Sequence, residues 1–135
     1  MNKNSMVATV AGTFLLLILG YLFYGIALAD FFASNSGSVT NLMKDPPDWP
    51  ILILGQLATA LLLVTVLGWK GDADLASGAK TGACVGLLWG LGYGLTMHAT
   101  TNISNLTAAL VDPLVATVMF GITGAVMGML LGKGE

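Results

Sequence analysis

The stretch MVATVAGTFLLLILGYLFYGIALA, residues 6–29, decides the fold. It holds no charged side chain, and Phe14-Leu15-Leu16-Leu17-Ile18-Leu19 within it is apolar at every position. About 20 apolar residues wound as helix span the ~30 Å hydrocarbon core of a bilayer. A strand of a membrane barrel would alternate apolar and polar residues, and this run does not. In lipid a helix satisfies every backbone group within its own segment. Residues 6–29 are therefore predicted to form a transmembrane helix.

The same signature recurs outward from this stretch. No charge falls between Asp48 and Lys70, between Lys80 and Asp112, or between Asp112 and Lys133. These gaps predict further spans at 50–69, 81–101 and 106–132. The chain is 56% hydrophobic and only 9% charged, where a soluble domain carries about a quarter charged residues. Too little charge remains to cover a water-soluble surface, and residues 1–135 read as a single membrane domain. Lys3, the first apolar run and Ala27-Leu28-Ala29 imitate a signal peptide. The run exceeds the usual ~7–15 apolar residues of such peptides, so it is read as a retained span.

The predicted fold is all-α: an antiparallel up-down four-helix transmembrane bundle. Four spans put both termini on one side, with Lys3, Lys70, Lys80 and Lys133. The opposite side carries Lys44 beside Asp30, Asp45, Asp48 and Asp112. The positive-inside rule then places both termini in the cytoplasm. The small size and N-terminus read as bacterial, which makes the expected location the inner membrane, multi-pass. The longest connection, residues 30–48, carries Phe31, Phe32, Leu42 and Met43. It is expected on the outer membrane surface, with Pro46-Pro47 stiffening its end.

The strongest pattern is a ridge of small residues. Gly78, Gly82, Gly86, Gly90 and Gly94 recur every fourth position in the third span, and Ala116, Gly124, Gly128 and Gly132 do so in the fourth, interrupted by Phe120. Helices in lipid associate where small residues let backbones approach. Run antiparallel, the ridges set Gly82 opposite Gly128 and Gly86 opposite Gly124, with Phe120 over Gly90. Use of one ridge in a homo-oligomer is the competing reading.

Polar groups gather toward the outer half. Counted at about 1.5 Å per residue from the inner lysines, Tyr93 lies about 20 Å up, Gln56 about 21 Å, His98 about 27 Å, and Tyr24 and Asp112 about 31 Å. Ionisable residues inside a membrane are functional candidates, so Gln56, Tyr93, His98 and Asp112 form the candidate polar cluster. The plainer reading makes Asp112 a capping or interfacial residue near the start of the fourth helix, with Pro113 in its first turn. Tyr24 is read as packing or interfacial.

The chemistry excluded is broad. Arginine is missing and the net charge is −2, so no basic face exists to bind nucleic acid. The single Cys84 cannot form an internal disulfide. One histidine and scattered aspartates supply no metal shell at a recognisable spacing, and Ser104 lies in no nucleophile motif. No cofactor or catalytic residue is expected. A small multidrug exporter would need a carboxylate deep in the first span, and residues 7–29 hold none.

The glycine-rich stretch 78–94, the following Leu95-Thr96-Met97-His98-Ala99-Thr100, residues 105–112 and the glycine-rich close 121–132 together resemble a group of small four-helix bacterial membrane proteins of unknown function. The resemblance implies the four-helix architecture and supplies no activity. The functional expectation is a non-enzymatic membrane component in the lipid bilayer. It would be an accessory or self-associating subunit, partnered by another membrane protein or by a second copy. The alternative is a small transporter or ligand-binding membrane protein that uses the outer polar cluster, with the 30–48 loop as a lid.

Overall fold

The computed structural model describes residues 2–38, 44 and 47–133. Leu42, Met43, Asp45 and Pro46, which figure in the expected outer loop, lie outside the described residues. Among the described residues the chain is helical, with an isolated bridge between Ser36 and Ser104 as its extended pairing.

Each long helix begins on a polar cap that satisfies an otherwise unpaired backbone N–H. The Asn2 side chain accepts from the Ser5 N–H at 2.8 Å and starts α1, Lys3–Gly20. A π-helical stretch, Tyr21–Ala27, follows without a break and leads to the short α2, Ala29–Ser34. Asp48 caps α3, Trp49–Lys70, which stops at Gly71, whose φ of 74° lies in the left-handed region that glycine adopts without a steric cost. Asp74 caps α4, Leu75–Thr100, and Asn105 caps α5, Leu106–Leu131.

Three helical stretches are long and apolar enough to cross a membrane: Lys3–Ala27, Trp49–Lys70 and Leu106–Leu131. α4 matches α5 at 26 residues. It is less apolar because glycine, alanine and threonine fill positions where the others carry leucine, isoleucine and valine.

α4 and α5 pack against each other along their length, and α1 packs between α5 and α3. α3 meets α4 and α5 at few points, so the α1–α3 contact holds it. Leu16, Leu63, Leu67 and Met127 are fully buried where α1, α3 and α5 converge. Gly12 belongs to this junction: a side chain there would run into the Met127 methyl group and approach the Ala60 Cβ to 3.5 Å. The buried hydroxyls of Thr13 and Thr123 donate to the carbonyls one turn back, Thr9 and Met119, at 2.8 Å, so neither requires a partner across the interface. Outside this core many large apolar side chains are exposed. Phe14, Leu88 and Leu114 are each at least 60% exposed, as suits a solvent of acyl chains and not water.

The α4–α5 seam runs backbone against backbone. A Cβ at Gly78 would fall on the Gly124 carbonyl, and one at Gly82 on the Phe120 carbonyl. At Gly86 it would stand 2.8 Å from the Phe120 Cβ, and at Gly90 3.0 Å from the Pro113 Cα. A Cβ at Gly94 would lie 3.4 Å from the Ala109 carbonyl oxygen, one at Gly128 would meet the Asp74 carbonyl, and one at Gly132 the Ala73 carbonyl. Gly82 thus faces Phe120 and Gly124, and Gly86 faces Ala116 and Phe120. This register differs by one helical turn from the one read in the sequence. Phe120 is the reason. Its backbone and Cβ occupy the notch between Gly82 and Gly86, and its ring stacks on Trp89 at 6.3 Å.

Candidate functional site

The π-helical stretch and the α4–α5 seam meet at one end of the molecule around a cavity of about 720 Å³. A π turn takes an extra residue per backbone hydrogen bond, as in the 2.8 Å bond from the Leu28 N–H to the Phe23 carbonyl. Such turns are rare and occur frequently at functional sites. Here the altered winding carries Tyr24 to α5, where its hydroxyl donates to Asp112 Oδ1. Tyr24 packs on Phe32 of α2 at 5.3 Å, and Phe32 packs edge-on against Phe31.

Asp112 sits well inside α5, and Asn105 is the cap, its side chain accepting from the Ala108 N–H at 3.0 Å. The capping reading of Asp112 is therefore replaced: the helix starts nearly two turns earlier. Pro113 is likewise internal. Proline has no N–H to return to the carbonyl four residues back, and that carbonyl, of Ala109, is the one that Gly94 approaches. Gly94 and Asp112 both line the cavity.

The cavity walls combine Tyr24, Tyr93, Asp112, Ser36 and Ser104 with apolar Phe32, Met97 and Ile103. A strap joins the segment after α2 to the α4–α5 connection beside it. The Gly37 N–H donates to the Ile103 carbonyl at 2.9 Å, and the Asn105 N–H to the Asn35 carbonyl at 3.0 Å. The Asn105 side chain donates to Asn35 Oδ1 at 2.9 Å. A side chain at Gly37 would fall on the Asn102 carbonyl, so this close approach requires glycine.

Of the four residues named from the sequence, Tyr93 and Asp112 line the cavity. Gln56 is half-buried on α3 and is not part of its wall. His98 turns to the α4–α5 connection, where Nδ1 lies 3.1 Å from the Ser104 carbonyl. The one-turn register difference accounts for this: Asp112 stands beside Gly94, a turn below His98. Tyr24 completes the site in their place. A signal for it exists in the sequence, since counting along the helices sets Tyr24 and Asp112 at the same height, about 31 Å from the lysine-bearing end.

At the opposite end Thr81 donates to Asp72 Oδ2 at 2.6 Å and accepts from Lys70 Nζ at 3.1 Å, which locks the turn between α3 and α4. The Asn4 side chain donates to the Lys133 carbonyl at 2.6 Å and joins the start of α1 to the end of α5. Among the described residues no group of three or more His, Cys, Asp or Glu is arranged to hold a metal ion. Comparison of the chain with protein-family models, curated proteins and solved structures returns no match.

Proposed function

We propose that the chain is a four-span inner-membrane protein with cytoplasmic termini that binds a small molecule, without transforming it, in the cavity between the π-helical stretch and the α4–α5 seam. The observation that carries this reading is the Tyr24–Asp112 hydrogen bond at the wall of a cavity of about 720 Å³. A few polar groups converging in a mostly apolar cavity is the usual form of a small-molecule site, and an acidic side chain within membrane helices is a functional candidate by default.

The crossing of α4 is supported by its full-length packing on α5, which is apolar enough to span. The Asn4–Lys133 and Lys70–Thr81 bonds support a single end rich in lysine, and the positive-inside rule assigns that end to the cytoplasm. Single cysteines at Ser38, Asn102 and Lys133, in a Cys84→Ser background, test the topology. Ser38 and Asn102 should react with an impermeant maleimide from outside intact cells, and Lys133 only after lysis.

The accessory or self-associating subunit reading drew on the glycine ridge as a surface for a partner. That ridge is occupied by α5 of the same chain from Gly78 to Gly94, which leaves the cavity as the better-supported site. Native mass spectrometry of gently extracted protein separates the two. A monomer or dimer carrying a small adduct supports the binding reading, and a defined larger complex with the cavity empty supports the subunit reading.

A further inference from the structure

We infer that the ligand is a lipophilic organic cation, an ammonium head on an apolar or aryl tail; this rests on the binding reading above. The argument begins with charge. Asp112 is half-buried at the cavity wall, and its partner among the described residues is the neutral Tyr24 hydroxyl at Oδ1. No lysine among the described residues pairs with it, and Oδ2 keeps its lone pairs for a further donor. A carboxylate in an apolar setting is costly unless a positive charge or hydrogen-bond donors compensate it. The cavity supplies the donor on one oxygen and leaves the place of the cation open.

The rest of the lining fits the same chemistry. Tyr24, Tyr93 and Phe32 line the same cavity as the carboxylate. The face of an aromatic ring attracts an ammonium, more strongly where water is excluded. Met97 and Ile103 offer an apolar wall for the tail, and methionine adapts to tails of different shape. An anionic ligand would meet the Asp112 carboxylate with no cationic side chain among the described residues of the wall to offset it.

The test uses three probes of one shape: phenylbutylammonium, phenylbutanol and phenylbutyrate. Binding to the full chain in lipid nanodiscs is measured by isothermal titration, with empty nanodiscs correcting for partition into lipid. The cation should bind at least about tenfold tighter than the alcohol, and the carboxylate weakest. Asp112→Asn should remove the preference for the cation, bringing its affinity to within about twofold of the alcohol's. Ala33→Trp, which fills the cavity from α2, should remove binding of all three. Equal affinity of wild-type protein for cation and alcohol, both lost in Ala33→Trp, overturns the cation assignment and leaves the binding site standing. Binding of no probe, or binding unaffected by Ala33→Trp, overturns both. Should Asp112→Asn fail to fold, the order of the three probes on wild-type protein still decides.

Discussion

The Cβ of Phe120 lies so near the backbone of Gly86 that a methyl group added to that glycine would stand 2.8 Å from it. The same stretch of α5 covers Gly82, whose added methyl would fall on the Phe120 carbonyl. Backbone atoms cannot turn aside as a flexible side chain can, so the helices must separate. Gly82→Ala is expected to destabilise by about 2 kcal/mol or more. Gly92→Ala is the control, because its added methyl meets nothing within 4 Å. It should be neutral or stabilising by up to about 1 kcal/mol. Steric-trap or denaturant unfolding in detergent measures both, and equal effects would refute the seam.

Tyr24→Phe removes the donor to Asp112 and keeps the ring against Phe32. Hydrogen bonds between membrane helices are worth roughly 0.6–2 kcal/mol. A double-mutant cycle of Tyr24→Phe with Asp112→Asn should give a coupling energy in that range. A coupling of zero would mean that the two groups do not interact.

Asn105 has two tasks, capping α5 and donating to Asn35 in the strap beside the cavity. Asn105→Ala should cost about 1 kcal/mol for the lost cap and speed amide exchange at Gly37, whose N–H is held by the strap. Asn105→Asp should restore the cap and leave Gly37 exchange fast. Hydrogen exchange read by mass spectrometry separates the two roles.

Asp74 supplies the pH dependence of α4. The Ser77 backbone N–H, followed by the Ser77 hydroxyl, holds its carboxyl below the ordinary value of 3.8. A depressed carboxyl contributes stability that is present above its ordinary value and is lost as pH falls through the lowered one. Unfolding midpoints should therefore drop as pH falls below about 4. Asp74→Asn should flatten that part of the profile, because the amide oxygen caps without titrating. An unchanged profile would place the sensitivity elsewhere.

The sequence by itself determined that the chain is built of apolar helices. That property is local: lipid requires each segment to satisfy its own backbone, so an uncharged run of sufficient length is enough. It also marked α4 and α5 as helices with small-residue ridges, and Asp112 and Tyr93 as polar groups at one end. The tertiary structure decided the register and the site. A ridge that repeats every fourth residue is nearly unchanged by a slip of one turn, since glycine still meets glycine. Only the bulk of Phe120, seated between Gly82 and Gly86, breaks that degeneracy. The slip parts His98 from Asp112. A local change of winding at Tyr21–Ala27, which no residue pattern announces, brings Tyr24 to Asp112 instead.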